Sequence, residues 1–426
     1  MKQITAFILC GILTLSFMSC AKQTKAMEDI KPAALKSAAF DDYESKNQIR
    51  EENPMDEAFV AAIQEFSSKV ASQTLTGQHK NMCVSPISLY LALSLVTHGA
   101  GSDTRSELLN ALCLSDELAA KLPKQVGSLM RRLHTDNEIG VLKLANSVWM
   151  QNGASFKQKY LDSMSSDFYA SLFSVDFSDN ATAGKAGNWI KENTGGLLAP
   201  AIQFDPNTIM ALVNTVYLTD QWIDQFNEGL TAPDNFTKTD NEKVTCDFMN
   251  REAFNSAYIK GNGFTAAPLN MKNNGKMIFI LPDEGILPDD LLSSPECVAD
   301  MLDTSLYENG KVVYKIPKFS FGAAPEVKEA VQALGVHKAF ETDADFSSIM
   351  KDPLWISSIL QETHIGIDEN GVQAAAYTMI FMASGAFIPE EQEPIMMVLD
   401  RPFLFAVMSD AGVPLFIGIV NDPAAV

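Results

Sequence analysis

The sequence predicts an α+β fold folding as one cooperative unit. Apolar residues recur at helical spacing through the first half of the chain, and the second half holds short apolar runs separated by turn residues. No repeat of about 20–50 residues and no low-complexity tract divides the body. Composition agrees: of 426 residues 46% are hydrophobic and 20% charged, with 32 Lys+Arg against 53 Asp+Glu and a formal net charge of −21. That balance excludes disordered and collagen-like classes. The acid excess excludes nucleic acid as a partner and a polybasic membrane patch, because so negative a surface repels phosphate backbones and anionic lipid alike.

Taken in order, residues 1–19 read as a signal peptide. Met1-Lys2 gives a positive start, Ile4 to Phe17 is largely apolar but short for a membrane span, and small Ser19 precedes Cys20. Phe17-Met18-Ser19-Cys20 resembles a bacterial lipobox, which makes Cys20 the candidate lipidation site. Residues 20–55, polar and rich in Ala and charge, read as a lipidated tether, and 56–426 as a single domain. The implied location is the cell envelope, lipid-anchored at its periplasmic or outer surface and touching membrane only through that lipid. Secretion is the alternative.

Residues 57–72 carry apolar positions at helical spacing. Residues 86–97 follow Ser85 as a cap and Pro86 in the first turn, and their apolar character almost all round describes a buried helix. The stretches 104–112, 119–133, 157–170 and 184–193 also read as helices. The pattern then changes to strands at 210–218, 244–250, 256–261, 276–282 and 311–321, and again at 395–399, 403–409 and 413–420.

Enzymatic motifs are scarce. His79, His98, His134, His337 and His364 show neither HExxH nor a paired ligand spacing, and GxSxG, GxxxxGK[ST] and strand-linked GxGxxG runs are absent. No metal and no cofactor are implied. His98-Gly99-Ala100-Gly101 resembles a hydrolase oxyanion loop but directly follows a helix, where a Gly-rich stop explains it. Cys83, Cys113, Cys246 and Cys297 lie far apart without CxxC, and read as small buried apolar residues.

One stretch stands apart. From Gly371 to Pro389 the chain carries no charge, between Asp368-Glu369-Asn370 and Glu390-Glu391-Gln392-Glu393. A transmembrane helix has nearly the length, but polar and glycine residues interrupt it and no basic anchors flank it. A core helix and a strand built to fit inside a sheet both remain open. As a strand, period two puts Val372, Ala374, Ala376 and Thr378 on one face, all small or uncharged.

Motifs spread along the body resemble the serpin family. Val84-Ser85-Pro86-Ile87-Ser88 opens a helix of the family type, continued by Gly99-Ala100 to Leu112. Leu144-Ala145-Asn146-Ser147-Val148-Trp149, Asn188-Trp189-Ile190 with Asn193-Thr194, and Asn214-Thr215-Val216-Tyr217-Leu218 with Trp222 and Phe226 follow in family order. Ile316-Pro317-Lys318-Phe319, Leu334-Gly335-Val336, Ala344-Asp345-Phe346-Ser347 and Asp400-Arg401-Pro402-Phe403-Leu404-Phe405 complete the series.

The resemblance implies a serpin fold: a large central β-sheet, two smaller sheets, eight or nine helices, and an exposed reactive loop near the C-terminus. It implies a monomeric protease inhibitor rather than an enzyme. Its partner would be a serine or cysteine endopeptidase, trapped as a covalent acyl-enzyme when the cut loop inserts into the sheet. The loop's hinge would comprise Glu369, Gly371, Val372, Ala374, Ala375 and Ala376, small and uncharged because bulk or charge on the inward face would stall insertion. Inserting about 15 residues at roughly 3.3 Å each would carry the protease on the order of 50 Å. Ser85, Ser88, Asn214 and Gln361 would form the shutter below the hinge, and Trp222 with a Lys318–Glu369 pair the top of the sheet. Gln361 stands where many relatives have His, and Tyr377 where they have something small, although the period-two count turns Tyr377 outward.

Counting forward from the hinge places the scissile bond near Gly385–Ala386, whereas counting back from Arg401 lands near Glu391, so the loop is long. Met382, Ser384, Gly385, Ala386 and Phe387 are the candidate positions. No Lys or Arg occurs between Glu369 and Asp400. This disfavours trypsin-like targets, whose pocket carboxylate needs a basic partner, and suits elastase-, chymotrypsin- or subtilisin-like ones. A non-inhibitory serpin-fold binding or storage protein is the alternative reading.

Overall fold

The structure, a computed structural model, describes residues 28–273, 275–359, 361–372 and 393–425. Seven α-helices occupy the first half: α1 (Tyr43–Glu52), α2 (Glu57–Leu75), α3 (Pro86–Gly99), α4 (Ser102–Ala111), α5 (Asp116–Leu133), α6 (Gln158–Ser166) and α7 (Asn180–Asn193). Four strands run between them, β1 (Met82–Val84), β2 (Thr135–Asp136), β3 (Val141–Gln151) and β4 (Ala170–Val175). Strands dominate the remainder, with β5 (Met210–Gln221), β6 (Ala232–Thr237), β7 (Lys243–Lys260), β8 (Phe264–Asn270) and β9 (Lys276–Pro282) leading to the short helices α8 (Pro288–Leu292) and α9 (Pro295–Leu302). Then come β10 (Glu308–Pro317), β11 (Phe319–Ala323), α10 (Val327–Ala333), β12 (Thr363–Ile367), β13 (Gly371–Val372), β14 (Ile395–Val398), β15 (Phe403–Met408) and β16 (Pro414–Val420).

Seven strands form the sheet that carries the site, in the order β11-β12-β13-β5-β3-β2, with β4 also pairing with β3, on its edge away from β5. The remaining strands make a nine-stranded network, β1-β16-β15-β9-β8-β7-β10-β14 with β6 on β7. The 18-residue β7 belongs to both of its halves, pairing with β10 and β6 in one and with β8 in the other. Strand β5 is covered on both faces. Its Leu212, Val216 and Leu218 join the main core with α3, whereas Ala211 and Val213 pack with Trp149, Phe173 and the α7 residues Ala186, Trp189 and Ile190. Helix α3 is buried nearly all round, as its composition predicts, and ends at Gly99 with Ala100 as its cap.

The strand expected over 311–321 is two, β10 and β11, in different sheets, and those expected at 244–250 and 256–261 are one continuous β7. The structure departs from the sequence reading in three further places. The helix expected over 157–170 stops at Ser166: Tyr160, Leu161 and Met164 are buried at helical spacing, but Phe168, Ala170 and Leu172 are buried at period two. The continuous apolar signal hid that change of period, and Tyr169, at φ 51, makes the turn into β4. The expected tether, 20–55, is described from residue 28, and that part lies along the body. Ile30 bridges Leu172 on β4, Asp29 pairs with Lys185 of α7 at 2.7 Å, and Arg50 of α1 pairs with Asp410 at 2.6 Å. Helix α1 buries no residue, so no apolar periodicity announced it. It brings the α-helices among the described residues to ten, against the eight or nine implied.

Candidate functional site

At the end of β12 the chain reverses. Asp368 accepts hydrogen bonds at Oδ1 from the backbone of Asn370 at 2.8 Å and of Gly371 at 3.1 Å, and donates its own N–H to Gly371 O at 3.1 Å. The reversal sends Gly371 and Val372 back between β12 and β5. Val372 faces Ile367 on one side and Asp220 on the other, antiparallel to both, and Gly371 faces Gln221. A Cβ at residue 371 would stand 2.0 Å from Asp220 O, so only glycine permits this approach of two backbones. The first hinge residues therefore already lie as a strand inside the sheet.

Groups above the strand hold the turn in place. Trp222, fully buried, donates its ring Nε1–H to Asp368 O at 2.9 Å and its backbone N–H to Asn370 O at 2.9 Å. The Phe226 N–H donates to Glu369 O at 2.9 Å. The Glu369 carboxylate, 7% exposed, receives Lys318 Nζ at 2.9 Å and Thr231 Oγ1 at 2.8 Å. Burial alone pushes this carboxyl up, but the hydrogen bonds from Lys318, the backbone and Thr231 together outweigh it and hold the group below its ordinary value. Burial likewise pulls the Lys318 ammonium down, and its carboxylate neighbours, Glu369 first, more than restore it. The Lys318–Glu369 pair that the resemblance implies is thus present, and Trp222 stands beside it.

The shutter forms only in part. Gln361 and Ser85 meet through the backbone: Ser85 N–H donates to Gln361 Oε1 at 2.9 Å, and Gln361 Nε2 donates to Ser85 O at 2.9 Å. The Ser85 hydroxyl donates to Leu415 O at 2.8 Å. Asn214 does not join them, because the β3–β5 register sets it opposite Asn146, to whose Oδ1 it donates at 2.5 Å. Asn146 in turn donates to Phe168 O at 2.8 Å. Ser88 is buried in α3, and no hydrogen bond among the described residues ties its hydroxyl to this group. Of the four expected residues, only Ser85 and Gln361 pair with each other; Asn214 turns to Asn146 instead.

Ala374, Ala375, Ala376, the candidate bonds at Met382, Ser384, Gly385, Ala386 and Phe387, and Cys20 all lie outside the described residues. Among the cysteines, Cys83 is fully buried, and desolvation pushes its thiol up to about 12. Cys113, Cys246 and Cys297 are half-buried with thiols raised by the same cause.

A β-sheet holding the start of a small, uncharged segment between two of its strands is the geometry that strand insertion needs. The family model described as Serpin (serine protease inhibitor) matches residues 61–423. The chain belongs to the serpin family. Serpin-Z7 of Hordeum vulgare is 30% identical over 368 residues, 81% of this chain and 90% of that relative. Alpha-1-antiproteinase of Rattus norvegicus is 24% identical over 423 residues, covering 97% of this chain and 98% of its own. The native-state crystal structure of the thermophilic serpin tengpin matches with a TM-score of 0.77 at 26% identity, covering 92% of this chain and 97% of tengpin. Thyroxine-binding globulin in complex with thyroxine shares the fold, with a TM-score of 0.73 at 22% identity over 86% of this chain and 99% of its own.

Sequence reasoning missed several residues of this serpin's hinge site. Thr231 carries no local signal, since its partner is fixed by tertiary structure, whereas Asp368 works locally, on the backbone two and three residues on in an Asp-x-Asn-Gly turn. Asn146 was visible only as part of a family strand motif. Asp220, buried at 1% exposure beside Val372, reads in the sequence as an ordinary strand-end acid.

Proposed function

We propose that this serpin is an inhibitor that traps a non-trypsin-like serine endopeptidase, or a papain-like cysteine endopeptidase, as a covalent acyl-enzyme. The observation that supports the reading best is the seating of Gly371 and Val372 between β5 and β12. In the proposed reaction the protease nucleophile attacks a loop carbonyl, and the peptide C–N bond breaks. The residues after that bond leave as a new amino terminus, while the acyl ester or thioester remains on the protease. The loop behind the acyl group then follows Val372 into the sheet and drags the enzyme from its productive geometry before water can deacylate it. The charge-free sequence from Gly371 to Pro389 supports this step, and the absence of Lys and Arg supports the target class.

The leader supports a further element of the proposal, a lipid anchor at Cys20 that holds the inhibitor at a bacterial cell envelope against proteases arriving from outside. Cys20→Ser should abolish incorporation of labelled fatty acid and move the protein from membrane to soluble fractions. Labelling that persists would reject the anchor.

The direct test incubates residues 21–426 with neutrophil-type elastase, chymotrypsin, subtilisin and papain, followed by denaturing gels. A band at the summed mass that survives SDS is the expected result, and the first residue of the released C-terminal peptide locates the bond among Met382, Ser384, Gly385, Ala386 and Phe387. Clean nicking that leaves the proteases active would favour a non-inhibitory binding or storage protein. Tyr377, following the alanines, is the residue that speaks for that second reading.

A further inference from the structure

We propose that a buried trio, Asp220, Asn273 and Asn137, fixes the register in which the hinge strand joins the sheet, so that these are positioning residues for the trapping reaction. The inference rests on the inhibitory reading above. Asp220 is 1% exposed and is the cross-strand partner of Val372. A carboxylate so buried has to be supplied with donors. The backbone of Gln221 donates to its Oδ1 at 2.9 Å and that of Asn273 to its Oδ2 at 2.9 Å, with Asn273 Nδ2 at 3.5 Å from Oδ1.

Asn273 extends the contact outward. Its amide pairs reciprocally with that of Asn137, at 3.1 and 3.2 Å. Asn137 Oδ1 also caps the backbone of Ile139 at 3.1 Å and of Gly140 at 3.2 Å, and its Nδ2 donates to Ala38 O at 3.3 Å. The trio thus ties the end of β5 to the turn after β8, to the turn before β3, and to the N-terminal segment. Gly140 approaches β5 from the side opposite Gly371: a Cβ there would lie 2.2 Å from Thr219 O. The terminal peptides of β5 are held between two glycine backbones and pinned by a buried carboxylate.

A pinned β5 matters because strand register decides which side chains face inward. In a strand continued from Val372 opposite Asp220, alternation would send Ala374, Ala376 and Thr378 to the inner face with the buried Val372, and Tyr377 outward. A slip of one residue reverses every assignment and drives Tyr377 inward. Insertion would then stall, the acyl-enzyme would hydrolyse, and the inhibitor would be spent as substrate. The Glu369 and Trp222 contacts fix the turn, and the trio fixes the strand against which the hinge pairs.

The test compares the parent chain with Asn273→Ala and Asn137→Ala, neither of which touches the loop. With a protease that the parent traps, the association rate should be unchanged, while the ratio of cleaved to complexed inhibitor rises about tenfold, the scale of one lost buried hydrogen-bond partner. Adding Tyr377→Ala to Asn273→Ala should restore the parental ratio, a rescue that general destabilisation would not give. An unchanged ratio, or a raised one that Tyr377→Ala fails to restore, overturns the proposal. If a variant does not fold, Asn137→Ser takes its place. Amide exchange without protease gives an independent reading, with Trp222 and Phe226 exchanging about tenfold faster in Asn273→Ala. Should the parent trap none of the proteases, the inhibitory function fails, and equal exchange rates would separately overturn the register anchor.

Discussion

A methyl group on residue 371 would meet Asp220 O at 2.0 Å and Gln221 Cα at 2.8 Å, both of them backbone atoms that cannot swing aside. On the proposed inhibitory function, Gly371→Val should therefore expel the hinge from the sheet and leave a chain that is cut without trapping, visible on gels as cleaved chain with no SDS-stable complex. Retained complex formation would show that the docked hinge is not needed. The neighbouring Glu369 gives a pH dependence whose sign is fixed by its lowered value. Its contribution is complete above the unfolded carboxyl pKa of about 4.3 and is lost as pH falls through the lower folded value. Lys318 is 38% exposed, so screening limits the pair to about 1 kcal/mol. The unfolding midpoint of Glu369→Gln should thus lie below the parent's near neutral pH and approach it as pH falls through the lowered folded value. Lys318 and Glu369 were legible as partners through the family motifs. Thr231 was not, because 138 positions separate it from the carboxylate it serves.

Strand β13 is only two residues long, yet it fixes the inward face of everything that would follow it. Continuing its alternation gives a paired prediction. Ala376→Arg places a charge on the inner face, where an unpaired buried ion costs several kcal/mol, and should abolish trapping. Gln373→Arg places the same charge on the outer face and should leave most of it. Equal losses in the two variants, read as SDS-stable complex, would reject insertion in this register. The sequence alone left this segment open between helix and strand, since an uncharged run rich in small residues satisfies either period. The family resemblance reads it as an inserting strand, and of its residues Gly371 and Val372, the two described, are paired as strand. Elsewhere legibility followed pattern: α2 and α5 were read from helical spacing, α3 from its Ser cap, first-turn Pro and apolar character all round, and β15 and β16 from apolar runs. The α6–β4 junction was lost because burial continues through it while the period changes, and α1 because its contacts are polar. The Asn214–Asn146 contact depended on the β3–β5 register, which no single strand's sequence contains.

Across the whole molecule, the centre of the sheet is where the two-residue β13 lies between β12 and β5. Strands β12 and β5 both reach β13, and among the described residues they do not pair with each other. Along β5, Asn214 Oδ1 and Thr215 Oγ1 are buried without a hydrogen-bond partner, each a cost of about 1–3 kcal/mol. A strand added between β5 and β12 would supply a ladder of backbone hydrogen bonds to both, with a net gain of roughly 1 kcal/mol for each bond formed. Several such bonds outweigh the ordering of a loop already anchored at Val372, so cleavage should make the protein more stable rather than less. Calorimetry of chain nicked within the loop, with its fragments still associated, should show a midpoint at least about 10 °C above that of the intact chain. The same comparison in Ala376→Arg should show little or no rise, because the strand cannot pass its inward charge. A nicked parent that melts at or below the intact temperature would mean that the sheet does not take up the loop, leaving the serpin fold without the free-energy difference that trapping requires.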